Sequence, residues 1–380
     1  MLTYEQCCEI RDHYNNFQFF ERVEYNDGYK ICIFNYRLIQ HAEFETPIPG
    51  RDLKAYEMRG ITFVFDHDGT YRRFLAIPKF FNINQTEMTL LSNIQNKTIV
   101  SVNEKMDGSM ISFIILPNNK VVAKTIGATE SEQAVGANRI INDDPELLRI
   151  ITECLNNNVQ IMFEYISPKN RIVLHYEKTE LVLIRLRDMN TGKMLRYDEA
   201  PVDISYLKKA ETIDISLSDM LDEAETLADY EGWVITFEDM MCKQKTKWYF
   251  ELHMMLTSHI YREDYIIENV VNETIDDYLS QIPETEYEIR AWIDDISKIV
   301  VSYIQDTYNE VLSLIEETKR VGDREMISRN GRVSPELLYA LHYIRYNKDV
   351  LTMIKDDIIK YTYFLDKARY FLEHKKLNRG

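Results

Sequence analysis

Apolar and polar positions change rhythm once along this chain. Through about residue 250, apolar residues alternate with polar ones or come in short runs, as strands require. Tyr29–Leu38 and Gly60–Asp66 are rich in β-formers, and Asp66-His67-Asp68-Gly69-Thr70 joins the second to Tyr71–Ile77 as a hairpin. Thr98–Lys105, Met110–Leu116 and Val121–Ile126 follow as strands, the last two linked by the turn Pro117-Asn118-Asn119-Lys120. Glu130–Ile141 and Pro145–Asn156 read as helices, the second capped by Asp144 with Pro145 in its first position. Strands resume at Val159–Ile166 and Leu181–Arg187. An acidic helix-forming stretch covers Ser216–Tyr230, before strands at Gly232–Glu238 and Lys247–Leu252.

Beyond about His253 the period becomes helical. Apolar residues fall at Ile289, Trp292, Ile293, Ile296, Val300, Ile304, Tyr308, Val311 and Ile315, and Leu337–Ile344 and Val350–Phe371 continue the pattern. The expected architecture is α+β: an antiparallel-sheet domain over residues 1–253, then an all-helical domain over 254–380.

Composition adds bounds. A chain of 380 residues exceeds the roughly 250–300 at which a single core stops growing. With 45% hydrophobic and 28% charged residues, disordered and collagen-like classes are excluded. No apolar run approaches the ~18–20 residues of a membrane span, and Met1–Cys8 lacks the pattern of a signal peptide. Five cysteines without C-x-x-C spacing argue against a disulfide framework. A reduced, soluble, cytoplasmic protein is expected, with no membrane partner.

Net charge is −17, which by itself speaks against a nucleic-acid binder. The charge is uneven, however. Residues 319–380 hold 14 basic against 8 acidic residues, whereas 255–318 hold 3 against 15. A polyanion could meet a local basic face, carried by Arg324, Arg329, Arg332, Arg345, Lys348, Lys367, Arg369, Lys375 and Lys376.

The sharpest chemical signal is Glu104-Lys105-Met106-Asp107-Gly108-Ser109, between two strands. A lysine nucleophile must shed a proton near neutral pH, which neighbouring cations and a metal promote. Lys243 and Lys245 alternate, so on a strand they would share a face and could be those cations. Gly108 would let the backbone approach a phosphate. As a lone motif this is weak and reads first as a glycine turn between strands with a solvated lysine. There is no H-E-x-x-H, no G-x-x-x-x-G-K-[ST], no G-x-S-x-G and no metal-ligand spacing among the histidines.

The motif has company in a fixed order: Met58-Arg59-Gly60, Lys79-Phe80-Phe81-Asn82, Lys105-Met106-Asp107-Gly108-Ser109, Ser131-Glu132-Gln133-Ala134, Phe163-Glu164-Tyr165, Glu231-Gly232-Trp233-Val234, Lys243-Gln244-Lys245 and Trp248-Tyr249. This resembles the covalent lysine nucleotidyltransferase superfamily, and more narrowly the bacteriophage RNA ligase 1 family, across residues ~29–253. The resemblance implies an ATP-grasp-like nucleotidyltransferase fold and an ATP-dependent RNA ligase. Lys105 would take AMP covalently from ATP, AMP would pass to an RNA 5′-phosphate, and a 3′-hydroxyl would displace it.

By the same resemblance, Lys243 and Lys245 would neutralise the α-phosphate and Glu164 would accept hydrogen bonds from the ribose. Glu231, with Glu164, would hold Mg²⁺ through carboxylate oxygen. Tyr36, Arg59, Lys79, Phe81, Glu104, Gly108 and Arg187 would surround the nucleotide. The chain departs from the family where a lysine usually precedes a glycine: Ile126 stands before Gly127. Lys124, two residues earlier, would share a strand face with it and could substitute by alternation.

The expected partner is RNA with 5′-phosphate and 3′-hydroxyl ends, tRNA cut in its anticodon loop during phage infection above all, handled by a monomer in the infected cell. Two other readings stay open. One is a DNA ligase or GTP-dependent capping enzyme of the same superfamily, which the helical tail disfavours because those enzymes usually end in a small β-barrel. The other is a non-enzymatic RNA-binding or virion-assembly protein with a dead site.

Overall fold

The structure, a computed structural model, describes residues 1–39, 41–168, 174, 176–250, 263–279, 287–330 and 333–362. It divides into two compact units, Met1–His253 and Met254–Gly380.

The first unit is built on three sheets. Helix α1 (Tyr4–His13), started by a Thr3–Gln6 capping box, precedes β1 (Phe19–Asn26), β2 (Tyr29–Tyr36), β3 (Ile61–Phe65) and β4 (Tyr71–Phe74). These four strands pair in sequence order, each antiparallel to the next. The short helix α2 (His41–Glu45) lies between β2 and β3 and buries Phe44.

Two further sheets surround the Lys105 motif. One contains β5 (Phe81–Asn82), β6 (Ile99–Glu104), β12 (Gly232–Phe237) and β13 (Met241–Lys245), in the order β5-β13-β12-β6. Only β5 and β13 pair parallel among them. The other contains β7 (Ser109–Ile115), β8 (Val121–Lys124), β9 (Val159–Ile166), β10 (Glu180–Asp188) and β11 (Met194–Leu195), in the order β11-β10-β9-β7-β8. The loop Lys105–Gly108 therefore carries the chain from one sheet to the other.

Helix α3 (Leu91–Ile94) precedes β6. Helices α4 (Glu132–Asp143) and α5 (Pro145–Asn156) follow β8, and α6 (Leu217–Thr226) precedes β12. Ser131, Asp144 and Ser216 cap α4, α5 and α6 by accepting from Ala134, Leu147 and Asp219 backbone N–H groups. The amphipathic α5 buries Leu147, Ile150, Ile151, Cys154 and Leu155 in the main core, with Phe113 and Phe163.

One expected strand is absent. Residues 247–250 are helical, and 251–252 lie outside the described residues. Thr246 Oγ1 accepts from Tyr249 N at 3.1 Å, and this local cap turns the chain before aromatic strand propensity can act.

The described elements of the second unit are all helices: α7 (Glu263–Val271), α8 (Ile275–Leu279), α9 (Tyr287–Val321), α10 (Asp323–Asn330), α11 (Pro335–Tyr346) and α12 (Val350–Thr362). Ile293, Ile296, Val300, Ile304, Val311 and Ile315 form the buried stripe of α9, which packs on α7, α11 and α12. No described helix is long and apolar enough to cross a membrane. Arg345 pairs with Asp323 and Arg329 with Glu317 and Glu325, so these two basic residues are engaged within the bundle. Arg332, Lys367, Arg369, Lys375 and Lys376 lie outside the described residues.

Candidate active site

Strand pairing brings the motifs together. β6 ends at Glu104, and Lys105 N donates to Gly232 O at 2.8 Å, which fixes the lysine against the start of β12. Glu231 immediately precedes that strand. Gly232 pairs with Lys245 and Val234 with Lys243, so both lysines lie across from the β12 residues that border the site. On the other sheet, β9 presents Glu164 beside Met110 of β7.

Between them is a cavity of about 480 Å³, lined by Arg59, Glu104, Lys105, Gly108, Ile126, Glu164, Ile184, Arg185 and Val234 among others. Lys105 Nζ donates to Glu231 Oε1 at 2.6 Å, and Lys245 Nζ stands 3.6 Å from the same oxygen. Glu231 is 2% exposed, and its Oε2 has no hydrogen-bond partner among the described residues. Two ammonium groups thus converge on one buried carboxylate. Burial pushes the Glu164 carboxyl up to about 8, with Lys105 opposing and Glu231 adding to the shift. Burial also raises Glu104, which the Glu211 charge reinforces.

Asp107 acts from behind the lysine. Its Oδ2 accepts from Leu174 N at 2.7 Å and its Oδ1 from the Tyr249 hydroxyl at 3.0 Å. Lys245 Nζ lies 4.8 Å from the centre of the Tyr249 ring. A chain of contacts therefore runs from Lys105 through Glu231, Lys245 and Tyr249 to Asp107, two residues along the same loop. Sequence reading gave Asp107 and Tyr249 no task; their positions in Lys105-x-Asp107-Gly108 and just after Lys245 were the available signal.

Gly108 has a packing reason that phosphate approach does not supply. A Cβ there would lie 2.5 Å from Tyr165 O and 3.0 Å from Glu164 Cγ. The glycine lets the start of β7 close onto β9 and so sets Glu164 beside the lysine loop. Gly232 is stricter still, with φ +148° and a Cβ position 2.0 Å from Gln244 O.

Five residues expected around the nucleotide, Tyr36, Lys79, Phe81, Lys124 and Arg187, stand outside this cavity. β8 ends at Lys124, so the alternation argument fails at Ile126: Ile126 lines the cavity, and Lys124 is fully buried. Lys124 Nζ donates to Gly60 O at 2.8 Å and Thr125 O at 3.2 Å. Burial pulls its pKa down to about 7, partly offset by Glu24 and helped by Arg59. Arg187 is held by both oxygens of Glu57, at 2.9 and 2.5 Å, and by Ala76 O and Gly192 O. It lines a separate cavity of about 330 Å³, with Lys79 and Phe81. Lys79 Nζ there sits among the rings of Tyr36, Phe44 and Phe81, 5.3 to 5.6 Å from their centres. Tyr36 lines neither cavity; its ring packs edge-on against Phe44.

Sequence reading also gave no task to several cavity residues, Asn103, Ile184, Arg185 and Val234 among them. A charged residue inside the apolar run Leu181–Leu186 was the signal for Arg185.

No group of three or more His, Cys, Asp or Glu placed to hold a metal occurs among the described residues. Glu231 and Glu164 nevertheless suit a hard divalent cation whose other ligands come from phosphate and water. The buried Glu231 Oε2 without a partner is the observation that fits.

Comparison with known proteins finds relatives of one kind. A protein of Thermovibrio ammonificans named "Putative RNA ligase" is 24% identical over 336 residues, covering 85% of this chain and 80% of that protein. Among solved structures, an archaeal ATP-dependent RNA ligase (form 2) superposes with a TM-score of 0.48 at 14% identity, over 80% of this chain and 79% of that one. The Naegleria gruberi RNA ligase with PPi gives 0.36 at 17% identity, over 47% and 57%. A family model described as RNA ligase matches residues 57–255, more than half of the 380-residue chain. That span holds every strand around the cavity, together with Arg59, Lys105, Glu164, Glu231 and Lys245, and so the chain belongs to the RNA ligase family.

Proposed function

We propose that this RNA ligase is ATP-dependent and works through AMP joined covalently to Lys105. The observation that carries the reading is the placement of Lys105 Nζ, in a 480 Å³ cavity with Arg59 and Glu164 and 2.6 Å from Glu231.

In the first step the Lys105 amine, having left Glu231 and lost a proton, forms a bond to the α-phosphorus of ATP. The bond from phosphorus to the bridging oxygen breaks and pyrophosphate departs. Lys245, and Lys243 beside it on β13, oppose the charge that grows on the phosphoryl oxygens, which is where preorganised cations lower a barrier most. In the second step an RNA 5′-phosphate oxygen attacks the same phosphorus and the phosphorus–nitrogen bond breaks, restoring the amine. In the third, an RNA 3′-hydroxyl attacks the 5′-phosphate and AMP leaves. Glu231 and Glu164 are the residues that would hold Mg²⁺, which would supply charge neutralisation and alignment of phosphate oxygens. Arg59 has a forked guanidinium suited to polyphosphate and lines the cavity.

The finer reading extends the motif resemblance. The substrate is RNA with 5′-phosphate and 3′-hydroxyl ends, tRNA broken in its anticodon loop being the leading case during phage infection. The enzyme acts as a monomer in the cytoplasm of the infected cell.

The test is incubation with ATP labelled on its α-phosphate and Mg²⁺, then denaturing electrophoresis and peptide mapping. One acid-labile adduct on the Lys105 peptide is expected, with none in Lys105→Ala. An adduct from GTP alone would move the chain to the capping reading, and an unlabelled wild type would leave a binding protein.

A further inference from the structure

Arg185 is a charged residue of the cavity wall to which the adenylylation reading gives no task. It reaches the wall through an irregularity. The β9–β10 register shifts between Leu183 and Arg185, so Ile184 is an extra residue, and Ile184 and Arg185, adjacent in sequence, both border the cavity. A bulge of this kind re-aims side chains.

The guanidinium is oriented and only partly matched. Its NH1 donates to Asn103 Oδ1 at 2.6 Å and to Ile184 O at 3.1 Å. Asn103 is fixed in turn, its Nδ2 donating to Thr212 Oγ1 at 2.9 Å. Arg185 is 5% exposed, and its Nε and NH2 have no hydrogen-bond partner among the described residues. Burial lowers its pKa, yet a guanidinium remains charged across the working range of an enzyme. A buried cation with unmatched donors is costly, and proteins keep one where a ligand brings the acceptors.

The surroundings define that ligand. Val234 pairs with Asn103 across β12 and β6, so Val234, Asn103, Arg185 and Ile184 form one continuous patch of wall. Ile184 and Val234 offer apolar surface, which suits a flat neutral heterocycle. A guanidinium only donates, so the edge it meets must accept.

We propose that Arg185 selects the nucleobase: with the purine of the nucleotide seated against Ile184 and Val234, its guanidinium donates to one of the ring nitrogens. This rests on the adenylylation reading, and the same nucleotide is the one Lys105 consumes.

The experiment compares full-length wild type, Arg185→Met and Arg185→Lys. Initial rates of covalent label transfer are measured with ATP and with 1-deaza-, 3-deaza- and 7-deaza-ATP, each lacking one ring acceptor. Equilibrium titration with the same four nucleotides runs alongside. Wild type should lose roughly ten- to hundredfold with one of the analogues, as befits a hydrogen bond from a charged donor. Arg185→Met should treat that analogue and ATP alike, and Arg185→Lys should fall between. Met fills similar volume without donors; if it fails to fold, as judged by thermal melting, the Lys variant carries the comparison. Analogue-to-ATP ratios that are the same in wild type and variant overturn the proposal; a uniform loss then assigns Arg185 to phosphate or to folding. If wild type forms no adduct with any nucleotide, the adenylylation reading fails, while the titration still reads the base contact.

Discussion

The Tyr249 hydroxyl donates to Asp107 Oδ1 over 3.0 Å, tying the turn after β13 to the loop that carries Lys105. Both residues are 2% exposed. Tyr249→Phe removes one donor from a buried carboxylate and leaves the ring under Lys245. It should cost about 1–3 kcal/mol in urea unfolding and slow adduct formation on Lys105 about tenfold. Unfolding without kinetic loss would reduce Tyr249 to a structural residue.

Glu231 takes Lys105 and Lys245 on one oxygen, and its other oxygen has no hydrogen-bond partner among the described residues. Glu231→Gln should lower the rate of label transfer by about a hundredfold and raise the Mg²⁺ concentration for half-maximal rate. Rates measured across a Mg²⁺ series check both. An unchanged Mg²⁺ requirement would take the metal away from this carboxylate.

Gly108→Ala drives a Cβ to within 2.5 Å of the Tyr165 carbonyl, which as backbone cannot rotate aside. A stability loss of about 1–3 kcal/mol is expected from such overpacking, with a larger proportional loss of adenylylation because Glu164 moves with its strand. Thermal melting and label transfer on the same preparation separate the two effects.

Lys124 makes stability depend on pH. Its folded pKa of about 7 lies below the ordinary 10.5, so between these values the unfolded chain binds more protons. Stability should therefore climb as pH rises through that window, by up to about 1.4 kcal/mol per unit, and be lost as pH falls toward 7. Urea unfolding at about pH 7.5 and about pH 9 should show a smaller rise in Lys124→Met than in wild type. Equal slopes would place a neutralising partner beside the amine.

Ile126 holds the cavity position that Lys124 does not reach. Ile126→Lys should lower the KM for ATP in adduct formation by roughly fivefold, through a charge-assisted contact to phosphate. A raised KM would mean the apolar side chain has a packing role there.

What sequence could supply was a set of candidate residues and the strands that carry them. Lys105, Glu164, Glu231 and Lys245 each sit at a strand end or on a strand face, where local pattern fixes direction; Lys105 and Lys245 both approach Glu231, and Lys105 shares a cavity with Glu164. The failures have local causes. β8 stops at Lys124, so alternation no longer governs Ile126. Arg187 lies two residues past Arg185, some 6–7 Å along a strand, and Glu57 captures it at another cavity. The bulge that brings Arg185 to the wall depends on how β9 and β10 pair, which one strand's composition does not reveal. A single hydroxyl, Thr246 Oγ1, turned an expected strand into a helical turn.

The fork between Arg187 and Glu57 joins two segments that each carry a cavity-lining arginine. Glu57 stands two residues before Arg59 and Arg187 two after Arg185, so the pair braces both cavity-lining arginines to a common frame. Walls braced in this way would need no rebuilding at every turnover. A lesion at Glu57, which lies outside the reaction cavity, would then be felt as looser substrate selection before any loss of chemistry.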